Sequence, residues 1–448
     1  MTHQFSSNTI VSRLNIRRYL DRRYFGEFWA IGTNLLTPLA NLAAMAIILK
    51  FVSPEDLGTF QTVFLVVPYF AFVPLGVFNG LKRNIAFYNG QGNSEKARRQ
   101  VATSMIVAHV TALLGVVTGA VVFIYNWYSG ASSLILLCSI GLIVNLALFS
   151  YNTHYTAVFS GYKAFKELGN INIVRHVVSV GGALFPTILG ALGLVLRRIL
   201  LTTVALTVRI FLRRQDILNK SKFHIPEYRD LVASGFPIML SGYLNSIMVV
   251  ADRSVVAVFL SAEELGYYAL AGYLLNAIIL LPQSFSLVLY PKAAEAFGRT
   301  GNPIVLRKYL FVSLFINALT LLPLGIFCFI FLEDIVLKLF PDYINGIKCA
   351  QIACFAVVLL SYSGVSVVFM VLKRNLFYQI AIAISFIGIW LFGYLAIKNG
   401  YGLEGVAVVR VFATLLVALT TITYALFLTK RRLKAPENHQ KGGEAGNM

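Results

Sequence analysis

Apolar runs of about 20 residues recur along the whole chain, and residues 101–125, 134–155 and 313–332 are three of them. In a helix, about 20 apolar residues cross the roughly 30 Å of hydrocarbon in a bilayer. No water reaches that layer to pair a free amide, so such a chain folds as helices that satisfy their own backbone. Strand-period alternation is absent, which argues against a membrane barrel. Composition agrees: 58% of residues are hydrophobic and 13% charged, against about 25% charged in soluble domains.

Twelve spans follow from hydropathy and length: 26–50, 58–80, 101–126, 132–156, 171–189, 192–212, 234–260, 265–290, 309–332, 346–371, 376–397 and 403–428. The loops between them divide by charge. One set holds Arg13 to Arg23, Lys82/Arg83 with Lys96/Arg98/Arg99, Lys163/Lys166, Arg213 to Lys222, Lys292 to Lys308, Lys373/Arg374 and Lys430 to Lys434. The alternate set ("SPEDLG", "NWYSGASS", "LGALG", "SAEELG", "EDIVLKLFPDY", "KNGYGLEG") is nearly free of Lys and Arg. Basic loops stay in the cytoplasm, so both termini are expected there. The same rule accounts for most of the net charge of +19, and no nucleic-acid partner is expected. Residues 1–25 are polar and basic, with no apolar stretch before a small-residue cleavage site, so the first membrane helix is expected to act as the insertion signal. The four cysteines fall in or near apolar runs without a CxxC or Cys/His pattern. No metal or other cofactor is expected.

The chain repeats itself. "FVSPEDLGTF" (51–60) returns as "FLSAEELGYY" (259–268), 208 positions later. Pro74 maps to Pro282 at the same offset. "GALGLVLRRI" (190–199) returns as "GLEGVAVVRV" (402–411), with Arg198 on Arg410 at an offset of 212. The expected organisation is a basic segment 1–25, a six-helix half 26–215, a linker 216–230, a second six-helix half 231–430 and a polar tail 431–448. An even number of helices per half makes the repeat parallel, about an axis along the membrane normal. Transporters of this kind bind substrate near the repeat interface and rock one half against the other.

"ADRSVVAVFLSAEELGYYALAGYLL" followed by "LYPKAAEAFGRTGN", together with "FVSPEDLGTF" and "GYGLEGVAVVR", resembles the polysaccharide-transporter branch of the multidrug/oligosaccharidyl-lipid/polysaccharide exporter superfamily. O-antigen flippases are among its members. The resemblance covers nearly the whole chain in helix count and two-half layout. It implies an all-α polytopic fold around a central cavity, V-shaped and lined chiefly by the first two helices of each half. It also implies a flippase for undecaprenyl-diphosphate-linked oligosaccharide (an O-antigen, capsule or exopolysaccharide repeat unit) that works by alternating access in the bacterial inner membrane. The lipid-linked glycan and the bilayer are the implied partners, with polysaccharide polymerase and chain-length machinery as further candidates.

Such a substrate needs cations for its diphosphate and hydrogen-bonding groups for its sugars. Arginine presents a planar fork suited to phosphate oxygens, and a charge at membrane depth asks for a reason. Arg253, beside Asp252, lies about two helical turns before the outer end of span 7; the alternative for both is helix packing. Arg198 and Arg410 follow the outer G-x-x-G corners, and their recurrence in both halves favours a structural role; Arg197 has no match in the second half. Arg175, near the cytoplasmic end of span 5, and Arg83, at the cytoplasmic end of span 2, are further candidates that snorkelling alone would explain. Asn34, Thr37 and Asn41 share one face of span 1, as Ser241, Asn245 and Asp252 do on span 7. These faces line either the inter-half cavity or a neighbouring helix. Pro74 and Pro282 are candidate hinges. A cation-coupled drug or small-molecule exporter is the second reading, and it would want a buried acidic site. A membrane enzyme is a third, for which the short outer loops offer no catalytic group.

Overall fold

A computed structural model describes residues 22–212, 222–278, 280–372 and 374–430. The N-terminal segment to residue 21, residues 213–221 of the linker region, Lys373 and the tail from residue 431 lie outside the described residues. The structure is helical. Among the described residues ten segments are long and apolar enough to cross a membrane: α1 (Trp29–Phe51), α3 (Ser94–Tyr128), α4 (Ser133–Gly161), α5 (Phe165–Leu189), α6 (Ala191–Leu212), α7 (Ile225–Phe259), α9 (Pro303–Leu339), α10 (Pro341–Leu372), α11 (Asn375–Lys398) and α12 (Gly402–Leu428). Two more crossings are built in pieces: α2 from Pro54–Phe64, Val66–Phe70 and Val77–Gly90, and α8 from Ala262–Ile278 and Leu280–Thr300. The twelve crossings form two halves of six, α1–α6 and α7–α12.

The hydropathy limits miss the ends of the longest helices. α3 and α7 are each 35 residues, roughly 52 Å at 1.5 Å per residue, and outrun the hydrocarbon layer. Their polar first turns ("SEKARRQ", "IPEYRDLVAS") project beyond it and pack together. There Gln100 donates to Asp230 at 2.7 Å, Tyr88 donates to Asp230 at 2.5 Å and Arg99 pairs with Glu227 at 3.2 Å.

The repeated phrases are helix starts. Ser53 accepts from the Asp56 amide at 3.2 Å, and acids in the first turn suit the helix dipole. Ser261 and Glu264 form a reciprocal capping box: the Glu264 amide donates to Ser261 Oγ at 3.2 Å, and the Ser261 amide donates to Glu264 at 2.9 Å. The two corners pack against each other. A buried apolar cluster there draws on both halves, with Ile48, Val52 and Leu57 from one and Leu270, Phe340 and Ile347 from the other. Buried Tyr343 donates across the seam to the Val52 carbonyl at 2.8 Å.

At the opposite, basic end the halves meet along α2 and α7. A Cβ on Gly80 would lie 2.1 Å from the Leu231 carbonyl oxygen, and one on Gly235 would lie 2.0 Å from that of Gly76. Only glycines allow this approach. α3 of the first half also meets α7 there, whereas α1 packs on α5 and the Leu280–Thr300 piece of α8 packs on α9 and α10. Leu35, Leu36 and Leu39 on α1 are exposed.

Two helices break where proline sits. α1 is interrupted at Leu36, just before Thr37–Pro38. In α2 the turn 71–76 separates two helical pieces and holds Pro74; Leu75 has φ +48° and Gly76 φ +82°. A leucine in the left-handed region costs about 1–2 kcal/mol and persists only where its surroundings impose it. Here Gly76 is pressed on Gly235. Pro282 falls within the helical piece Leu280–Thr300.

A cavity walled by four arginines

Five helices of the first half enclose a cavity of about 530 Å³. α6 contributes Arg197 together with Arg198, Thr202, Ala205 and Arg209, the last four spaced i, i+4, i+7 and i+11 along one helix face. α4 faces them with Asn145, Asn152 and Thr156 in the same register, plus Thr153 and Phe149. α5 adds Arg175, His176 and Ser179; α1 adds Asn41 and α2 Val67. Every lining residue belongs to α1–α6, and no carboxylate is among them.

Hydrogen bonds fix this wall. Arg197 donates to the Ser179 carbonyl at 3.1 Å and to its hydroxyl at 2.9 Å. Arg209 donates to Asn152 Oδ1, and the Asn152 amide donates to the Leu148 and Thr202 carbonyls, both at 3.1 Å. Asn145 donates to Thr202 Oγ1 at 2.8 Å. The Arg198 guanidinium lies 5.4 Å over the Phe64 ring, a cation–π contact. Among the described residues no ion pair joins Arg175, Arg197, Arg198 or Arg209 to an acid. The buried Nε atoms of Arg198 and Arg209 lack any partner there. Four cations in one pocket repel one another, and an anion with several oxygens would both offset that repulsion and accept the unused N–H groups.

The second half sets an acid among its arginines, and among the described residues the buried Nε atoms of Arg253 and Arg410 also lack a partner. Asp252, 1% exposed, accepts from Tyr268 Oη at 3.0 Å and lies 3.9 Å from Arg410. Arg410 also donates to the Met248 carbonyl. Arg253 reaches the Gly272 carbonyl at 3.5 Å. These groups surround a gap of only about 10 Å³.

The polar faces noted in the sequence also divide. Asn41 lines the cavity, but Asn34 accepts from Asn172 at 3.0 Å and Thr37 lies 3.4 Å from His176, so both tie α1 to α5. Asn245 donates to the Ser241 carbonyl at 2.8 Å and accepts from Tyr378 at 3.0 Å, which joins α7 to α11. Arg83 sits outside, exposed at the basic end, donating to Asn84 at 3.1 Å. The structure thus gathers Asn41, Arg175, Arg197 and Arg198 in one place, and Asp252, Arg253 and Arg410 in another. Sequence reasoning overlooked Arg209 and the α4 row. Their signal was present as the i, i+7, i+11 spacing of Asn145, Asn152 and Thr156, matched on α6 by Arg198, Ala205 and Arg209.

Comparison with known proteins places this arrangement. The family described as "Polysaccharide biosynthesis protein" matches residues 47–343. A Shigella flexneri protein named "Putative O-antigen transporter" is 21% identical over 300 residues, 63% of this chain and 70% of its own length. Among solved structures, the inward-facing form of a multidrug resistance MATE family transporter of the MOP superfamily superposes with a TM-score of 0.73 at 16% identity, covering 90% of this chain and 98% of that one. The outward-facing form of a MATE family transporter of that superfamily gives 0.58 at 17% identity, covering 90% and 95%. A MOP superfamily transporter from Pyrococcus furiosus, whose structure carries the description "Reverse polarity of binding pocket suggests different function", gives 0.60 at 16% identity, covering 90% and 94%. These likenesses establish the fold.

Proposed function

The chain belongs to the polysaccharide biosynthesis protein family, the polysaccharide-transporter branch of the MOP exporters, and from that premise we propose that it flips a polyprenyl-diphosphate-linked oligosaccharide across the bacterial inner membrane. The single observation that carries this reading is the cavity walled by Arg175, Arg197, Arg198 and Arg209 with no carboxylate in its lining. The diphosphate takes the arginine forks. The amides and hydroxyls of Asn41, Asn145, Thr153 and Thr156 serve the first sugars, and the lipid tail stays in the bilayer. The name of the Shigella flexneri relative supports the same substrate class.

In this reading the basic loops and both termini face the cytoplasm, so the packed corners at Ser53 and Ser261 form the outer seal. The chain then stands closed outside and parted inside between α1 and α8. The head group enters there and binds, and rocking of the halves exposes it outside. A membrane potential negative inside favours outward movement of an anion by about 2.3 kcal/mol per charge per 100 mV. Polysaccharide polymerase and chain-length machinery are the partners that would take the product.

The test is flipping of a fluorescent polyprenyl-diphosphate oligosaccharide in proteoliposomes, scored by leaflet-specific quenching. Wild type flips it, and Arg198→Gln with Arg209→Gln does not. Cation- or proton-driven exchange of a cationic dye, without glycan flipping, would replace this reading with that of a drug exporter.

A further inference from the structure

The two halves carry the same arginine at matched positions, yet Arg410 is tied to an acid and Arg198 is not. The repeat shows why. At the 208-residue offset that aligns Ser53 with Ser261, Asp252 falls on Ala44 and Tyr268 on Phe60. The alignment runs without a gap from residue 41 to 60. The apolar packing follows it in part: α7 packs directly on α12, whereas α1 meets α6 chiefly by way of α5. Ile48, Leu57 and Leu194 share one buried cluster. Their counterparts Val256, Leu265 and Val406 share another. The second half therefore holds an acid, and a hydroxyl that orients it, where the first half holds a methyl group and a bare phenyl ring.

Resting on the reading of the cavity as an anion site, we infer that Ala44 is its specificity-determining position: the missing counterpart of Asp252 is what leaves Arg198 available to a diphosphate. Where the half holds its own acid, the arginine is neutralised internally and the gap around the pair is about 10 Å³. The half without it keeps an open cationic cavity of about 530 Å³. The charge of the bound group is set by an absent side chain as much as by the arginines present. Ala44 is 1% exposed and packed among apolar side chains, so it touches no solvent and acts only through the charge it withholds.

The experiment uses the full chain in lipid nanodiscs and inorganic pyrophosphate as the probe, with calorimetric binding and melting temperature as readouts. Wild type binds one pyrophosphate and Arg198→Gln loses it. Ala44→Asp weakens binding by at least about tenfold, a change of roughly 1.4 kcal/mol, whereas Ala44→Asn stays within about threefold. A folded Ala44→Asp protein that binds as wild type does overturns the inference and leaves the anion site standing. So does an Ala44→Asn protein as weak as Ala44→Asp, since volume rather than charge would then be responsible. Wild type that does not bind pyrophosphate overturns the anion-site reading itself, and this inference with it. The converse variant needs no new group in the first half. Asp252→Asn leaves Arg410 without its acid beside a gap of about 10 Å³, room for an ion of about the size of a water, so fluoride is the probe and is expected to raise this variant's melting temperature more than that of wild type. An equal fluoride response in wild type and a folded Asp252→Asn protein counts against the inference even where Ala44→Asp fails to fold.

Discussion

Gly58 and Gly266 touch through their backbones. A Cβ on Gly58 would lie 1.6 Å from the Ala262 carbonyl oxygen, and one on Gly266 would lie 1.8 Å from that of Pro54. The contact is reciprocal, each glycine resting on the first turn of the other's helix, and it joins two segments that the sequence repeats 208 residues apart. A duplicated corner has thus become one self-complementary seal.

Adding a methyl group there should open it. Overpacking costs about 1–3 kcal/mol, which shifts a two-state equilibrium by about 5- to 150-fold. Gly58→Ala or Gly266→Ala should therefore populate a form parted at the corners. Spin labels on cysteines replacing exposed Glu55 and Glu263 would report this as a longer distance component. A distribution identical to that of the parent would show that the closed corner accommodates the methyl group without parting.

Much of this architecture was legible beforehand because its causes are local. Span 4, read as 132–156, is the helix Ser133–Gly161, since apolar length alone decides it. The Ser53 and Ser261 caps were legible from a serine followed by acids. The break at residues 71–76 was legible only as a proline, because Leu75 is held at positive φ by a contact with a segment about 160 residues away. Asp252 and Arg410 are 158 positions apart and looked like separate candidates. Nothing local says that one buried charge answers the other. The repeat did hold the clue, in Ala44 standing where Asp252 was due.

That buried pair supports a stability prediction. Asp252 and Arg410 are 1% and 7% exposed, and removing one partner of a buried pair costs about 3–5 kcal/mol. Asp252→Ala and Arg410→Met should each lower unfolding free energy in detergent by that order. The double variant should lose less than the sum, because neither charge is then stranded. Additive losses would mean that the two residues do not answer one another.

The polar contact between α3 and α7 at the basic end should be weaker and sensitive to salt. Asp230 accepts from Tyr88 and Gln100 and lies 3.8 Å from Lys96, with the pair about one-third exposed. Hydrogen bonds to a charged group contribute about 1.5–3 kcal/mol, and half-exposed pairs are screened. Asp230→Asn should raise amide exchange across residues 225–235, and high salt should reproduce part of that rise in the parent. An unchanged exchange pattern would confine the seam to the glycine contacts of Gly76, Gly80 and Gly235.

The cavity arginines should separate activity from stability. Arg197 donates two hydrogen bonds to Ser179, so Arg197→Gln should destabilise the protein by about 1–3 kcal/mol. Among the described residues Arg198 has no acid beside it, and its buried Nε is unpaired. Like-charged neighbours add repulsion to the cost of holding that charge at membrane depth. Replacing it with glutamine relieves that repulsion at the cost of the cation–π contact with Phe64, so Arg198→Gln should melt close to the wild-type temperature while glycan flipping falls by an order of magnitude or more. Parallel melting curves and flipping rates for the two variants make the comparison. If Arg198→Gln lost stability as Arg197→Gln is expected to, with flipping falling only in proportion, Arg198 would be part of the packing and the anion site would have to be sought among Arg175 and Arg209 alone.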